Sequence, residues 1–162
     1  MNNMPKVAVI MGSSSDMPVV EKTINTLKQF DVEVDVMVCS AHRTPDIAAD
    51  FARNARENGI DVIIAAAGKA AHLPGVLAAF TTLPVIGLPI KSSLMDGLDS
   101  LLSIVQMPSG VPVATVAVNG AENAAVLAVQ MMSLKYSDLA DKLGKFKEDM
   151  KQKVIESNKS IQ

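Results

Sequence analysis

The alternation of short apolar runs with helix-like segments constrains this chain more than any other feature of its sequence. The first run, residues 7–11, is apolar without interruption, as expected of a strand that is buried on both faces of a sheet. Four more short runs follow, and a polar loop and a segment with helical periodicity separate each run from the next. The five predicted strands are residues 7–11, 32–39, 61–66, 83–87 and 113–117.

Strands that alternate with helices at this spacing predict βαβ units, and therefore a parallel sheet with helices on both faces. Right-handed crossovers place the loop after every strand at the same, carboxyl edge of the sheet. Five strands in 162 residues predict a flavodoxin-like three-layer α/β fold with the strand order 2-1-3-4-5. We expect a single domain, residues 1–162, with a core of about 6–132 and a C-terminal helical extension of about 133–160.

Composition and charge exclude several classes of partner. With a net charge of −2 and 3% aromatic residues, the chain offers neither a basic surface nor a stacking platform for nucleic acid. Gly, Pro or Lys interrupts every apolar stretch well short of the ~20 residues that a membrane span needs. The single cysteine, Cys39, excludes an internal disulfide, and two histidines with one cysteine show no zinc-ligand spacing. We therefore expect a cytoplasmic protein without a metal.

The loop after the second strand, residues 39–45, is the first candidate for a ligand site. It brings the imidazole of His42 and the guanidinium of Arg43 to the carboxyl edge of the sheet. An arginine can bind phosphate through two parallel hydrogen bonds, and a histidine with a pKa near ~6.5 can move a proton at neutral pH. A lone histidine is also compatible with an ordinary surface position, and the pattern alone does not decide between these two interpretations.

Two helix starts are predicted next to these loops. Asp16 can cap the first helix, or its carboxylate can accept a hydrogen bond from a ligand hydroxyl. Thr44 is a suitable N-cap for the second helix, and Pro45 suits the first helical position. This second helix is expected to place Ile47 among its inward residues and to end at about Asn58.

The loops after the first and third strands have the composition of anion-binding turns. Residues 12–16 offer hydroxyls and backbone N–H groups at the start of a helix, although an ordinary capped turn has the same composition. Residues 67–75 begin with small residues that let a ligand approach the backbone closely. His72 either contributes to the site or marks the start of the third helix.

Two other classes of protein with this fold fit the residues less well. A receiver domain needs an aspartate at the end of the third strand, whereas Asp61 begins that strand. A flavodoxin needs aromatic rings around its flavin, and this chain has few. The residues alone thus indicate an enzyme or a binding protein for a small, polar, phosphorylated ligand.

The C-terminal segment carries an apolar stripe with helical spacing. Its members are Tyr136, Leu139, Leu143, Phe146, Met150 and Val154. The pattern predicts an amphipathic helix of about 20 residues, ~30 Å long. The stripe either covers a neighbouring subunit or packs on its own domain, and its periodicity favours neither.

Four segments of the chain resemble the bacterial class I 5-(carboxyamino)imidazole ribonucleotide mutases: residues 11–16, 40–45, 70–75 and 99–108. The resemblance implies an enzyme of de novo purine biosynthesis that moves a carboxylate from the exocyclic nitrogen of an aminoimidazole ribonucleotide to ring carbon 4. It further implies that no cofactor or metal is used. The family forms homo-octamers, in which the C-terminal helix reaches neighbouring subunits, and is functionally linked to 5-(carboxyamino)imidazole ribonucleotide synthase.

The same resemblance assigns roles to individual residues. His42 would be the general acid and base, and the 5′-phosphate, the ribose and the carboxylate would be bound by the three strand-end loops. The substrate-binding residues implied are Ser13, Asp16, Ser40, Arg43, Gly68, Lys69, Ala70, Ala71, His72 and Leu73. Ser13, Ser40 and Arg43 would bind the phosphate. Asp16 would bind the ribose hydroxyls, and the backbone around residues 68–71 would contain the carboxylate or free CO₂.

One position departs from the family pattern. Lys69 stands where the family usually has glycine. We expect its side chain to point away from the pocket, the alternative being that it adds a positive charge near the carboxylate. This departure leaves open a class II-like carboxylase, which would use aminoimidazole ribonucleotide (AIR) and CO₂ directly. A nucleotide-binding module without catalysis is the third hypothesis.

Overall fold

A computed structural model describes residues 4–161 of the chain. Its centre is a parallel five-stranded sheet with the order β2-β1-β3-β4-β5, as the sequence predicts. The strands are β1 (Lys6–Met11), β2 (Glu33–Val38), β3 (Val62–Gly68), β4 (Val85–Ile90) and β5 (Ala114–Thr115). The α-helices are α1 (Met17–Gln29), α2 (Pro45–Asn54), α3 (Leu73–Phe80), α4 (Leu98–Val105), α5 (Ala121–Met132) and α6 (Ser137–Lys159). Single 3₁₀ turns, Ser14–Asp16 and Met95–Gly97, precede α1 and α4.

Helices cover both faces of the sheet, which confirms the three-layer prediction. Along β1, Val7 and Val9 point into a core formed with α1, α5 and the start of α6. Ala8 and Ile10 point to the opposite face, where α2 and α3 lie. Residues 7–11 are completely buried, because successive side chains of a strand alternate between two covered faces. The uninterrupted apolar run follows from this arrangement.

The edge strand β5 is shorter than predicted. It pairs with β4 over two residues only, Ala114 and Thr115, instead of the five expected. The carbonyl of Pro89 faces this side of β4 and accepts a hydrogen bond from Asn119 N–H at 2.8 Å. The nitrogen of Pro89 lies on the same side but carries no proton, so the ladder cannot continue past it.

The second helix differs from its prediction in length and in orientation. It ends at Asn54 rather than near Asn58, and the following turn closes at Gly59, whose φ is +77°. Ile47 is 55% exposed, whereas Ala48 and Ala52 are buried against the sheet. The expected inward position of Ile47 is therefore wrong, because the helix packs through its alanines.

The long helix α6 has two different halves. Leu139 is completely buried and Leu143 nearly so, and the Phe146 ring lies 5.5 Å from the ring of Phe30. Val154, in the second half, is 70% exposed. The first half thus packs on the chain's own core, and the second half carries the apolar stripe into open space. None of the helices within residues 4–161 combines the length and the hydropathy that a membrane crossing requires.

A carboxylate joins three elements at the amino edge of the sheet. Asp61, which directly precedes β3, accepts hydrogen bonds from Lys6 N–H at 3.1 Å and from Tyr136 O–H at 3.0 Å. The Lys135 ammonium donates to the same carboxylate at 2.8 Å. This contact fixes β1 and the residues before α6 to the beginning of β3.

Candidate active site

The loops after β1, β2, β3 and β4 surround one cavity of about 590 Å³ at the carboxyl edge of the sheet. The register explains their convergence, because Met11 lies beside Val38 on one side and Ala66 on the other. The lining residues that the sequence analysis selected are Ser13, Asp16, Ser40, His42, Arg43, Gly68, Lys69, Ala70, His72 and Leu73. Ala71 is 1% exposed, belongs to the core on the α2–α3 face, and does not line the cavity.

In the β1 loop, the Ser13 hydroxyl organises the turn. It accepts hydrogen bonds from Ser15 N–H at 3.3 Å and from the Ser15 hydroxyl at 2.8 Å. Asp16 occupies the N-cap position of α1, but its side chain makes no capping bond, so that part of the prediction is wrong. Asp16 is buried and lines the cavity. Burial raises the pKa of Asp16, and a backbone hydrogen bond from Ser13 opposes that shift.

In the β2 loop, Thr44 closes the turn rather than capping α2. Its hydroxyl accepts a hydrogen bond from Ser40 N–H at 3.0 Å and donates one to the Ser40 carbonyl at 2.8 Å. Thr44 occupies the predicted N-cap position and Pro45 the first helical position, but Thr44 makes no capping bond, because its hydroxyl is already used within the loop. The consequence is a rigid turn that holds Ser40 and Arg43 next to each other.

Arg43 connects this turn to the β1 loop. Its guanidinium donates through Nε to the Ser40 hydroxyl at 3.5 Å and through Nη2 to the carbonyl of Gly12 at 3.3 Å. Both of these partners are neutral oxygens, so neither hydrogen bond neutralises the positive charge. A guanidinium held in this way can still bind an anion strongly.

The two histidines of the chain contact each other across the cavity. His42 Nε2 and His72 Nδ1 are 2.7 Å apart, and the rings meet edge to face with their centroids 4.9 Å apart. One nitrogen of such a pair must carry the proton and the other must accept it. The pair therefore holds at most one positive charge while this hydrogen bond exists. His72 also lines the cavity and directly precedes α3, so its predicted position at the start of that helix is confirmed.

The β3 loop contains a residue in an uncommon conformation. Lys69 has a φ of +55°, in the left-handed region, where a side chain costs roughly 1–2 kcal/mol relative to glycine. Gly68, Lys69 and Ala70 line the cavity, so the expectation that Lys69 lies away from the pocket is not met. Leu73 forms part of the floor and is almost fully buried.

The β4 loop, which was not predicted to contribute, completes the cavity with Ile90, Lys91 and Ser92. The Lys91 ammonium lies 3.2 Å from a carboxylate oxygen of Asp96, and the Ser92 hydroxyl donates to Asp99 at 3.0 Å. The rule that places every strand-end loop at one edge would have included these residues. Within residues 4–161, no three His, Cys, Asp or Glu side chains lie close enough to share a metal ion.

Comparison with known proteins places this arrangement in a family. A family model described as AIR carboxylase matches residues 6–153. The chain belongs to the AIR carboxylase family.

Members of this family share most of the chain. It is 60% identical over 148 residues to the N5-carboxyaminoimidazole ribonucleotide mutase of Pyrococcus abyssi, covering 91% of this chain and 85% of that one. It is 52% identical over 159 residues to the enzyme of the same name from Thermotoga maritima, covering 98% and 93%. The crystal structure of Treponema denticola PurE superposes with a TM-score of 0.87 at 32% identity, covering 98% of this chain and 99% of that one.

Proposed function

We propose that this AIR carboxylase family member is a 5-(carboxyamino)imidazole ribonucleotide mutase of purine biosynthesis. It would move the carboxylate from the exocyclic nitrogen to ring carbon 4, giving 5-amino-1-(5-phosphoribosyl)imidazole-4-carboxylate. The observation that carries the proposal is the His42–His72 pair, 2.7 Å apart, in a cavity that also holds Arg43. The names of the mutases of Pyrococcus abyssi and Thermotoga maritima support it.

The phosphate of the substrate fits the end of the cavity between the β1 and β2 loops. Arg43 would bind it with two donors, and the hydroxyls of Ser13 and Ser40 would add hydrogen bonds. Asp16 would not contact the phosphate itself, since its carboxylate and the phosphate are both negatively charged and repel each other. Its carboxylate, which makes no capping bond, would accept hydrogen bonds from the ribose hydroxyls.

The reaction needs one group that first gives and then takes a proton. As the N–CO₂ bond breaks, its electron pair goes to the exocyclic nitrogen, and protonated His42 would donate a proton there. Ring carbon 4 would then attack CO₂, and neutral His42 would remove the proton from that carbon. Because the hydrogen-bonded histidine pair holds at most one positive charge, that charge would reside on His42 in the first step. His72 would stay neutral and orient His42 in both steps.

The CO₂ must stay beside the ring between the two steps. The loop formed by Gly68, Lys69 and Ala70 borders the cavity next to His72 and would contain it. Proximity of this kind converts recapture of CO₂ into an intramolecular step and excludes competing water. Contact through Ala71 stays a prediction, since this residue lies beneath the cavity wall.

Replacing His42 tests the proposal directly. We expect His42→Asn to lower turnover of the carboxyamino substrate by about 10²–10⁴-fold, the usual contribution of a positioned acid or base. His42 is exposed, so circular dichroism and thermal unfolding should match the wild type. Arg53→Gln, on the exposed face of α2 outside the cavity, serves as the control and should keep wild-type turnover. Near wild-type turnover of His42→Asn would contradict the assigned role.

The carboxylase alternative and the binding-module alternative are separated by substrate. A mutase turns over the carboxyamino nucleotide faster than AIR plus CO₂, and the reverse preference identifies a class II-like carboxylase. Tight binding of the ribonucleotide without turnover of either substrate identifies a binding module. The relatives' names favour the mutase over the carboxylase.

We propose further that residues 1–162 act as one domain and assemble as a homo-octamer in the cytoplasm, supplied by 5-(carboxyamino)imidazole ribonucleotide synthase. The observation behind the assembly is the second half of α6, where Met150 and Val154 continue the apolar stripe at 45% and 70% exposure. The single cysteine, Cys39, is free and buried, which agrees with a reducing compartment.

Two substitutions at the exposed half of α6 test the assembly. We expect the double variant Val154→Ser, Ile155→Ser to form a smaller particle by light scattering, because it removes apolar surface outside the chain's own core. Lys153→Ser, its exposed neighbour, is the control and should leave the particle mass unchanged. An unchanged mass for the double variant would contradict assembly through α6.

A further inference from the structure

Lys69 lies on the border between two cavities. It lines the candidate active site and also an adjoining cavity of about 520 Å³, formed with Ala70 and the region around Ser93, Asp99 and Ser103. Its backbone is in the left-handed region, with a φ of +55°. Residues other than glycine with a left-handed backbone occur preferentially at ligand sites, which points to a functional role for Lys69.

The two lysines of the cavity wall, Lys69 and Lys91, differ in their ion pairs. Within residues 4–161, the ammonium of Lys69 forms no ion pair with any carboxylate. The other lysine of the cavity wall, Lys91, is paired with Asp96 at 3.2 Å. Lys69 therefore differs from Lys91 in being available to a negatively charged ligand.

Lys69 and Arg43 lie at different places along the carboxyl edge. Arg43 belongs to the β2 loop and reaches Gly12, whereas Lys69 follows β3, next to β4. Strands β2 and β3 lie on either side of β1, so their axes are about 10 Å apart. Two cations separated in this way suit a ligand with an anionic group at each end better than a ligand with one.

We propose that Lys69 recognises the carboxylate of the substrate and product, and so separates the carboxylated nucleotides from AIR. This inference rests on the proposed function, which supplies a ligand with a 5′-phosphate at one end and a carboxylate on the base at the other. Arg43 binds the phosphate, and Lys69 binds the carboxylate beside the histidine pair. Holding that carboxylate retains the carboxylated nucleotide without affecting the affinity for AIR.

Binding of two nucleotides tests this assignment. Isothermal titration calorimetry with AIR and with 5-amino-1-(5-phosphoribosyl)imidazole-4-carboxylate is carried out on the wild type, Lys69→Met and Lys69→Arg. We expect Lys69→Met to bind the carboxylated nucleotide about tenfold more weakly, the lower end for a charge-assisted hydrogen bond, and to bind AIR unchanged. Lys69→Arg should restore the affinity. Lys28→Met removes the same charge from the last turn of α1, away from the cavity, and should change neither affinity.

Lys69→Gly separates recognition from folding. Glycine adopts the φ of residue 69 without strain, so this variant should unfold at the wild-type temperature or above, yet show the same loss as Lys69→Met. An equal loss for AIR and the carboxylated nucleotide, or no loss for either, would overturn the assignment. A wild type that binds both nucleotides but does not turn over the carboxyamino nucleotide would refute the proposed function, while the comparison of affinities would still decide the role of Lys69.

Discussion

The two edges of the sheet use charged side chains in opposite ways. At the amino edge, the Asp61 carboxylate receives three donors, and Lys6 forms ion pairs with Glu33 at 3.2 Å and with Asp35 at 2.9 Å. At the carboxyl edge, Lys91 is paired with Asp96, but the Arg43 guanidinium donates only to neutral oxygens of Ser40 and Gly12 among the described residues. Charges at the first edge are matched within the chain, whereas the guanidinium at the second stays available to a ligand.

This difference separates stability from binding. Groups that are satisfied by the protein itself contribute to the free energy of unfolding, and groups that keep donors or acceptors free can bind a substrate. Substitutions at the amino edge should therefore lower stability and leave affinity unchanged. Substitutions at the carboxyl edge should mainly weaken binding of the ligand, with a smaller effect on stability. The comparison fails if either edge affects both properties to the same extent.

The largest effect on binding is expected at Arg43. Arg43→Met removes the phosphate donors and should weaken ribonucleotide binding by about 100-fold, as for the loss of a bidentate charged contact. The free energy of unfolding should change little, since the side chain is exposed and its partner within the chain is a loop carbonyl. Fluorescence competition with a labelled nucleotide and urea denaturation give the two quantities. A large drop in stability would place Arg43 with the structural group instead.

A smaller effect, of the opposite kind, is expected at Asp61. Asp61→Ala leaves Lys6 N–H and the Tyr136 hydroxyl without their partner and should lower the free energy of unfolding by about 1–2 kcal/mol. Urea denaturation measures this loss, and the affinity for the ribonucleotide should stay at the wild-type value. Asp50→Ala, which removes an exposed ion pair with Arg53, is the matched control and should cost much less. Weaker nucleotide binding by Asp61→Ala would break the separation between the two edges.

The smallest effect concerns the pH dependence of stability at Asp16. Its folded-state pKa is raised above the ordinary 3.8, so the unfolded chain loses this proton first as the pH rises, and stability falls through that range. Asp16→Asn removes this penalty. We expect the variant to be more stable than the wild type at pH 7, with a difference that disappears as the pH falls below 3.8. Thermal unfolding across pH measures it. The gain in stability should be accompanied by weaker binding of the nucleotide. A difference in stability that is the same at every pH would contradict its assignment to the ionisation of Asp16.

The sheet order and the converging loops could be predicted because they depend on the alternation of short apolar runs with helical segments and on the handedness of crossovers. The contacts of individual side chains could not be predicted, since they depend on which hydrogen-bonding or packing partner is nearer in the folded chain. Thr44 has the right residue type for an N-cap, yet its hydroxyl bonds to the backbone of Ser40. Ile47 has an apolar side chain, yet the helix faces the sheet through Ala48 and Ala52.

The site itself could be predicted in part for the same reason. Strand ends identified the β1, β2 and β3 loops, and the same rule covers the β4 loop, whose residue types gave no sign that Lys91 would complete the cavity. The hydrogen bond between His42 and His72 joins residues 30 positions apart and depends on tertiary structure alone. The left-handed backbone of Lys69 is equally invisible in the sequence, because lysine rarely adopts it.

The divided packing of α6 has a consequence for how the protein behaves on dilution. The proposed assembly through this exposed apolar stripe would make the melting temperature depend on protein concentration, because association then adds to folding by mass action. Unfolding measured at micromolar and nanomolar protein would differ. Part of the stability of each subunit would thus come from its association with other copies.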